Sequence, residues 1–240
     1  MNAGPRRAMV LAAGRGERLR PLTDDTPKPL LEVGGKTLID RALDSLAGAG
    51  VDVAIVNLWY RAESIERHLA DRDRPCVAFS REDTLMDTGG GVAKALGRLG
   101  RRPFYAVNSD VVWFDSVEGA LPRLAAAWDD DAMDALLLLV PAPRAVGYHG
   151  MGDFYLGPTG AVRRRGEREV APFVFAGVQI LHPRLFRGCP DGAFSLNLLY
   201  DRAIADGRLF GIVHDSEWLH IGTVQGLARA ERRLGGTGWD

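Results

Sequence analysis

The stretch Ala8-Met-Val-Leu-Ala-Ala-Gly-Arg-Gly-Glu-Arg-Leu-Arg-Pro-Leu-Thr23 decides how this chain is read. Its opening, Ala8–Ala12, is a short apolar run stopped by turn residues, which predicts a buried strand. Gly14 and Gly16 follow at once. Both accept positive φ at little cost and let backbone N–H groups approach a phosphate chain. Arg15, Arg18 and Arg20 set cations beside those amides. Downstream, Pro27-Lys28-Pro29 brackets a lysine between prolines, which predicts a stiff extended segment around Lys28. A strand, a glycine loop, three arginines and a braced lysine suit a triphosphate better than a neutral ligand.

Outward from this loop the chain alternates. Helical spacing over Thr37–Ala47 puts Leu38, Ile39, Ala42, Leu43 and Leu46 on one face. Strand is expected at Val53–Asn57, helix at Ala62–Leu69, strand at Val77–Phe79 and helix at Gly91–Leu99. Phe104–Val107 reads as strand, Val117–Trp128 as helix and Ala135–Val140 as a continuous apolar strand. This order predicts an α/β fold, a Rossmann-like, mostly parallel mixed sheet with helices on both faces. Ligands then belong at the carboxyl ends of the strands. After Pro141 the pattern loosens, with strands at Asp153–Leu156, Pro172–Leu181 and Leu209–Val213 and helices at Leu196–Ala205 and Val224–Leu234. Residues 1–240 read as a single domain, with a nucleotide-binding part over about 1–140 and a sugar-binding part over about 141–240. The last third is expected to complete the sheet and add a lid or substrate wall.

Bulk properties bound the function. A chain of 240 residues with 46% hydrophobic and 25% charged residues buries a core without disulfides or a structural metal. A net charge of −1 gives no basic field for nucleic acid. Cys76 and Cys189 are far apart and outside any metal spacing, so free thiols in a reducing compartment are expected. Met1–Arg7 lacks the apolar core of a signal peptide. The longest apolar run, Ala135–Val140, is too short to span a bilayer. A cytoplasmic protein, monomeric or a small homo-oligomer, with no nucleic-acid or membrane partner, is the expectation.

Two familiar phosphate loops fail against this sequence. A dinucleotide fingerprint needs a third glycine where Leu19 stands, and Pro21 follows. That weakens the rival reading as a nicotinamide-dependent oxidoreductase. A P-loop needs glycine where Leu30 stands, although Gly35-Lys36-Thr37 matches its end. Gly34-Gly35 is better read as a turn before an N-capping Thr37. The run from Leu11 to Thr23, joined to Pro27-Lys28-Pro29-Leu30, instead resembles the signature of the sugar-1-phosphate nucleotidyltransferases. The likeness extends over nearly the whole chain and implies the nucleotide-diphospho-sugar transferase fold.

The resemblance assigns roles by position. Ala12, Ala13, Gly14, Arg15 and Gly16 are expected at the nucleotide, and Arg18 and Lys28 at its phosphates and at the transition state. Asp87-Thr-Gly-Gly-Gly91 precedes a helix and resembles the family's base and ribose segment, with Asp87 where glutamate is common and Gly90 at the centre. Asn108-Ser109-Asp110 ends a strand, where a carboxylate is placed to hold Mg²⁺. Asp115 is a second acid of that turn or a helix cap. Trp218-Leu-His220-Ile-Gly-Thr223 resembles a family motif whose third residue is aspartate. Here it is His220, which would hold metal, favour Mn²⁺, or contact phosphate alone. Gly152-Asp153-Phe154 and Phe175-Ala-Gly177 resemble the sugar-facing strands, and Asn57 resembles a substrate-bonding asparagine. Glu169-Val-Ala-Pro172 departs from the family's sugar-binding E-K-P run. Tyr148 and His149 sit in a Gly-flanked loop of lid character. His68 and His182 read as surface or packing residues.

The chemistry this implies is nucleotidyl transfer from a nucleoside triphosphate to a sugar 1-phosphate, with Arg18, Lys28 and Asp110 catalytic and Asp110 and His220 at the metal. Within the family the run most resembles enzymes that use UTP and N-acetylmuramic acid 1-phosphate. Short guanylyl enzymes acting on mannose 1-phosphate, and a catalytically silent nucleotide-sugar sensor, are the alternatives.

Overall fold

The computed structural model describes residues 4–234. The elements are β1 (Arg7–Leu11), α1 (Leu22–Asp25), β2 (Glu32–Val33), β3 (Lys36–Thr37), α2 (Leu38–Gly48), β4 (Val53–Leu58), α3 (Ala62–His68), β5 (Cys76–Arg81) and α4 (Asp87–Leu99). They continue with β6 (Phe104–Asn108), β7 (Val111–Trp113), α5 (Ala120–Ala127), β8 (Ala135–Pro141), β9 (Ala145–Val146), β10 (Phe154–Leu156) and β11 (Val162–Arg164). The chain closes with β12 (Phe173–Leu181), α6 (Leu196–Ala205), β13 (Leu209–Val213), β14 (Trp218–His220) and α7 (Val224–Leu234).

Strands β6, β1, β4 and β5 lie side by side and parallel, as the alternating pattern predicts. Both faces of β1, β4 and β6 are covered, so their middles are apolar rather than alternating, while β5 forms the more exposed edge. Val10, Val56 and Val107 point into one core with Leu43, Leu46 and Ile65 of α2 and α3. Met9, Ile55 and Ala106 point into the other with Val92 and Ala95 of α4 and Leu199 of α6. At the burial seen here, each such side chain contributes about 1.5–3 kcal/mol. The mixed character comes from β12. It runs antiparallel to β6 and to β8, and β13 joins β8 in parallel. A register shift between Phe175 and Gln179 lets the first part of β12 pair with β10 and its second part with β6. Gly177 sits inside that shift at φ 75°, a conformation open to glycine and costly for other residues. The sheet therefore splits at Gly177, and a cleft opens between its two arms.

A smaller sheet, β7-β14-β9, packs beside the strand ends with its own core of Leu19, Leu31, Val33, Leu38, Val112, Leu219 and Ile221. This core ties the glycine loop to the later motifs. Gly34 and Gly35 turn β2 into β3 at φ 56° and 68°, and Thr37 caps α2 by accepting the Asp40 N–H. Asp115 accepts the Ala120 N–H at 2.8 Å, so it caps α5. His68 bonds Asp40, and His182 accepts the Arg184 N–H, both packing roles.

Three expectations need correction. Helix α4 starts at Asp87 rather than Gly91, so the glycine triplet forms its first turn. Helix α5 starts at Ala120 rather than Val117, because Gly119 at φ 73° breaks the backbone before it. The segment around Lys28 is a 3-10 turn over Lys28–Leu30, not an extended strand. Pro29 favours this, since its ring presets a helical φ and its missing N–H falls where no partner is needed. No helix among the described residues is long and apolar enough to cross a membrane.

Candidate active site

The glycine loop leaves the carboxyl end of β1, and Asp110 follows the carboxyl end of β6, its neighbour in the sheet. Ser109 pins the two ends together. Its hydroxyl and its N–H both donate to the Leu11 carbonyl, at 2.7 and 3.1 Å. On the other side the Ile221 N–H donates to the Asp110 carbonyl at 3.1 Å, which brings β14 and His220 against Asp110. Two clefts meet at this point, sharing Asn108 and Asp110 in their walls.

The first cleft, of about 390 Å³, is walled by Ala12, Ala13, Gly14, Lys28, Asp87, Thr88 and Asp110 among others. Gly14 faces open space. Gly16 takes φ 67°, and a Cβ there would stand 3.0 Å from both Lys28 and Thr23, so glycine at this position leaves room for the lysine. The Lys28 ammonium reaches Asp110 Oδ2 at 2.6 Å, and both side chains are largely shielded from water. Burial would raise the Asp110 carboxyl, but the Lys28 ammonium outweighs it and holds the group below the usual range. Asp87 has φ 56°, and its carboxylate accepts the Thr88 N–H. Aspartate tolerates this left-handed region better than most side chains. That gives a backbone reason for aspartate at this position.

The second cleft, of about 450 Å³, is walled by Asp110, Tyr148, Asp153, Arg165, Gly177 and His220 among others. The Asp153 carboxylate accepts the Phe175 N–H at 2.9 Å and lies 3.5 Å from the Tyr148 hydroxyl. The His220 ring stacks on Trp218 and lies over Gly222, where any Cβ would collide with it. Burial lowers the His220 pKa, and Lys28 and Arg18 push the same way against the Asp110 carboxylate. His220 is thus a neutral imidazole at pH 7. Arg18 is exposed on the turn after Gly16, near enough for His220 to feel its charge, but it walls neither cleft.

Several expected site residues have other work. Asn57 borders the first cleft, not the second, and both ends of its amide are occupied. Its oxygen accepts the Ala12 N–H at 2.8 Å and its nitrogen donates to Glu82 at 2.7 Å. Glu82 in turn accepts the Met86 N–H at 3.0 Å. Arg15 lies over the Trp59 ring at 4.7 Å. A Cβ on Gly90 would come within 2.3 Å of the Gly192 carbonyl, and one on Gly152 within 2.0 Å of the Ala171 carbonyl. At both positions a neighbouring backbone carbonyl excludes a side chain. Glu82 and Ser109 are residues that the sequence reading missed. Each follows a strand in register with the loop, a signal visible only once the strand order is known.

Among the described residues no three histidine, cysteine or acidic side chains converge to form a metal cage. Asp110, in the turn between β6 and β7, and His220, at the end of β14, supply two donors.

Comparisons with known proteins agree with this geometry. The chain belongs to the nucleotidyl transferase family, whose model matches residues 7–164. It is 43% identical to an N-acetylmuramate alpha-1-phosphate uridylyltransferase of Caulobacter vibrioides over 239 residues, 98% of this chain and 99% of that protein. It is 40% identical to the mannose-1-phosphate guanylyltransferase catalytic subunit beta of Drosophila pseudoobscura pseudoobscura, over 111 residues covering 44% of this chain and 30% of that one. A solved UDP-glucose pyrophosphorylase bound to UDP-glucose shares the fold at a TM-score of 0.78 and 16% identity, with 95% of this chain and 97% of that chain covered.

Proposed function

We propose that this chain transfers the uridylyl group of UTP to the phosphate of N-acetylmuramic acid 1-phosphate, releasing pyrophosphate. The observation that carries the reading is the position of Asp110. It stands where two clefts meet, one built from the glycine loop and one from the split sheet. The near full-length relative supports the substrate pair, and the mannose-1-phosphate relative aligns with less than half of this chain.

The reaction is attack by a phosphate oxygen of the sugar 1-phosphate on the α-phosphorus of the triphosphate. The nucleophile is anionic at pH 7, so no general base is required. The barrier lies in bringing two anions together in line. The first cleft takes the nucleotide, with the N–H groups of Ala13 and Gly14 toward the phosphates and the apolar surface of Leu85, in the wall of the same cleft, beside the base. Lys28 supplies a fixed ammonium at the junction and neutralises charge that develops there. Arg18 adds an exposed cation on the turn after the glycine loop, suited to leaving pyrophosphate. The second cleft orients the sugar, its phosphate directed at Asp110.

A divalent cation, Mg²⁺ or Mn²⁺, fits the donor set. One carboxylate and one neutral imidazole suit a metal that arrives with triphosphate oxygens rather than one held in a protein cage. Asp110 and His220 would hold it, and it would supply neutralisation of the phosphate charge that gathers there. The test is pyrophosphate release that depends on both UTP and N-acetylmuramic acid 1-phosphate. It should vanish in Asp110→Asn at unchanged folding. Full activity in that variant would sink the assignment.

A further inference from the structure

The second cleft is rich in acid. Asp110, Asp153 and Glu167 all face it, against two arginines, Arg164 and Arg165. Asp110 is neutralised by Lys28. Arg164 is spoken for, since it pairs with Asp201 at 3.1 Å. Arg165 differs. Its guanidinium donates to three backbone carbonyls, from Nε to Gly152 at 2.8 Å and from Nη1 to Gly166 and Glu167 at 3.0 and 3.2 Å. Among the described residues it has no carboxylate partner. Carbonyl bonds fix an arginine's direction without cancelling its charge. A half-buried guanidinium held in this way is preorganised for an anion.

The position of that charge matters. The Arg165 N–H donates to the Asp153 carbonyl, which makes the two residues cross-strand neighbours at the mouth of β10 and β11. His220 pairs with Val111, next to Asp110, and the Tyr148 hydroxyl lies 3.5 Å from the Asp153 carboxylate. All of these groups wall the one cleft, with Asp110 where it joins the first cleft and Arg165 on its β10–β11 side. A sugar whose 1-phosphate lies at Asp110 presents its remote substituents toward Arg165. N-acetylmuramic acid differs from N-acetylglucosamine by a lactyl ether that carries a carboxylate. Without a matching cation, that carboxylate would enter a cleft lined by Asp153 and Glu167.

We infer that Arg165 is the residue that selects a carboxylate-bearing sugar 1-phosphate over a neutral one, by pairing with that carboxylate. The inference rests on the uridylyl-transfer reading above and names the group that sets its sugar specificity.

The test is a ratio. kcat/KM is measured for N-acetylmuramic acid 1-phosphate and for N-acetylglucosamine 1-phosphate, with UTP, on the same preparation. A partly misfolded sample lowers both values equally and cancels. Arg165→Met should lower the ratio on the order of 10- to 100-fold, the range for losing one charge-assisted pair. Arg165→Lys, which keeps the charge but loses the fork, should fall between. Arg164→Met should move the ratio less than Arg165→Met. A wild-type preference for the carboxylate-bearing sugar with an unchanged ratio in Arg165→Met overturns the role of Arg165 alone. A wild-type enzyme that prefers the neutral sugar overturns the substrate reading and this inference together. Equal losses on both sugars leave the ratio unchanged and overturn it in the same way.

Discussion

Replacing Asn57 with alanine should destabilise the protein rather than merely weaken substrate binding. Asn57 is 3% exposed and closes a chain of bonds from the Ala12 N–H through its own amide to Glu82 and on to the Met86 N–H. Alanine leaves two buried groups unpaired, the Ala12 N–H and one oxygen of the Glu82 carboxylate, itself 6% exposed. Each orphan costs about 1–3 kcal/mol, with the charged one at the upper end. A total of about 3–4 kcal/mol corresponds to a melting temperature lower by about 10 °C for a chain of this size. Differential scanning fluorimetry without ligands reads this directly. The loop would lose its anchor as well, so KM for the nucleotide should rise. Asn57→Asp sharpens the test. It keeps an acceptor for Ala12 but sets a carboxylate against Glu82, and one member of such a pair has its pKa raised. A group with a raised folded-state pKa stabilises below its unfolded pKa and loses that stabilisation as pH rises through the folded value. The Asn57→Asp deficit against wild type should therefore be largest at high pH and shrink on acidification. If Asn57→Ala melts within about 2 °C of wild type while only KM for the sugar phosphate rises, Asn57 is a substrate ligand and the anchoring argument is wrong.

Further outcomes follow from the same geometry. Lys28→Met should lower kcat by about 10²–10³-fold, the range for losing one preorganised charge donor at a transition state. Because Lys28 depresses the Asp110 pKa, its stabilising effect is present above the normal aspartate pKa and is lost as pH falls through the depressed value. The stability gap between Lys28→Met and wild type should thus be widest near neutrality and close in acid, as pH-dependent denaturation would show. His220→Asp should raise the ratio of Mg²⁺- to Mn²⁺-supported activity, since a carboxylate suits the harder ion. An unchanged ratio would remove His220 from the metal. Gly90→Ala should cost about 1–3 kcal/mol by driving a methyl into the Gly192 carbonyl, and thermal melting would register it.

The parallel half of the sheet was readable because burial on both faces leaves apolar runs, such as Met9 to Leu11 and Ile55 to Val56, between turn residues. The short strands β7, β9 and β14 were not readable as strands. Two or three residues carry no periodicity, and they exist because they pair with one another across more than 70 residues of sequence. Within the candidate site, Lys28, Asp110 and the Ala12–Gly14 loop were legible, since each sits beside a strand end and has a distinctive neighbour. Gly90 and Gly152 look like ligand contacts in sequence, yet the partner that excludes a side chain is backbone at Gly192 and Ala171. Sequence marks that a side chain is excluded but not what excludes it. Arg165 carried no signal for the same reason, because an unpaired charge is defined by which carboxylates fold near it.

The central claim is tested most directly by competition in a single vessel. UTP and GTP at equal concentration would be offered together with the 1-phosphates of N-acetylmuramic acid, N-acetylglucosamine, glucose and mannose, in the presence of Mg²⁺ and Mn²⁺, and the products separated by chromatography against standards and identified by mass. The account predicts UDP-N-acetylmuramic acid as the dominant product. GDP-mannose, or consumption of no triphosphate at all, would contradict it.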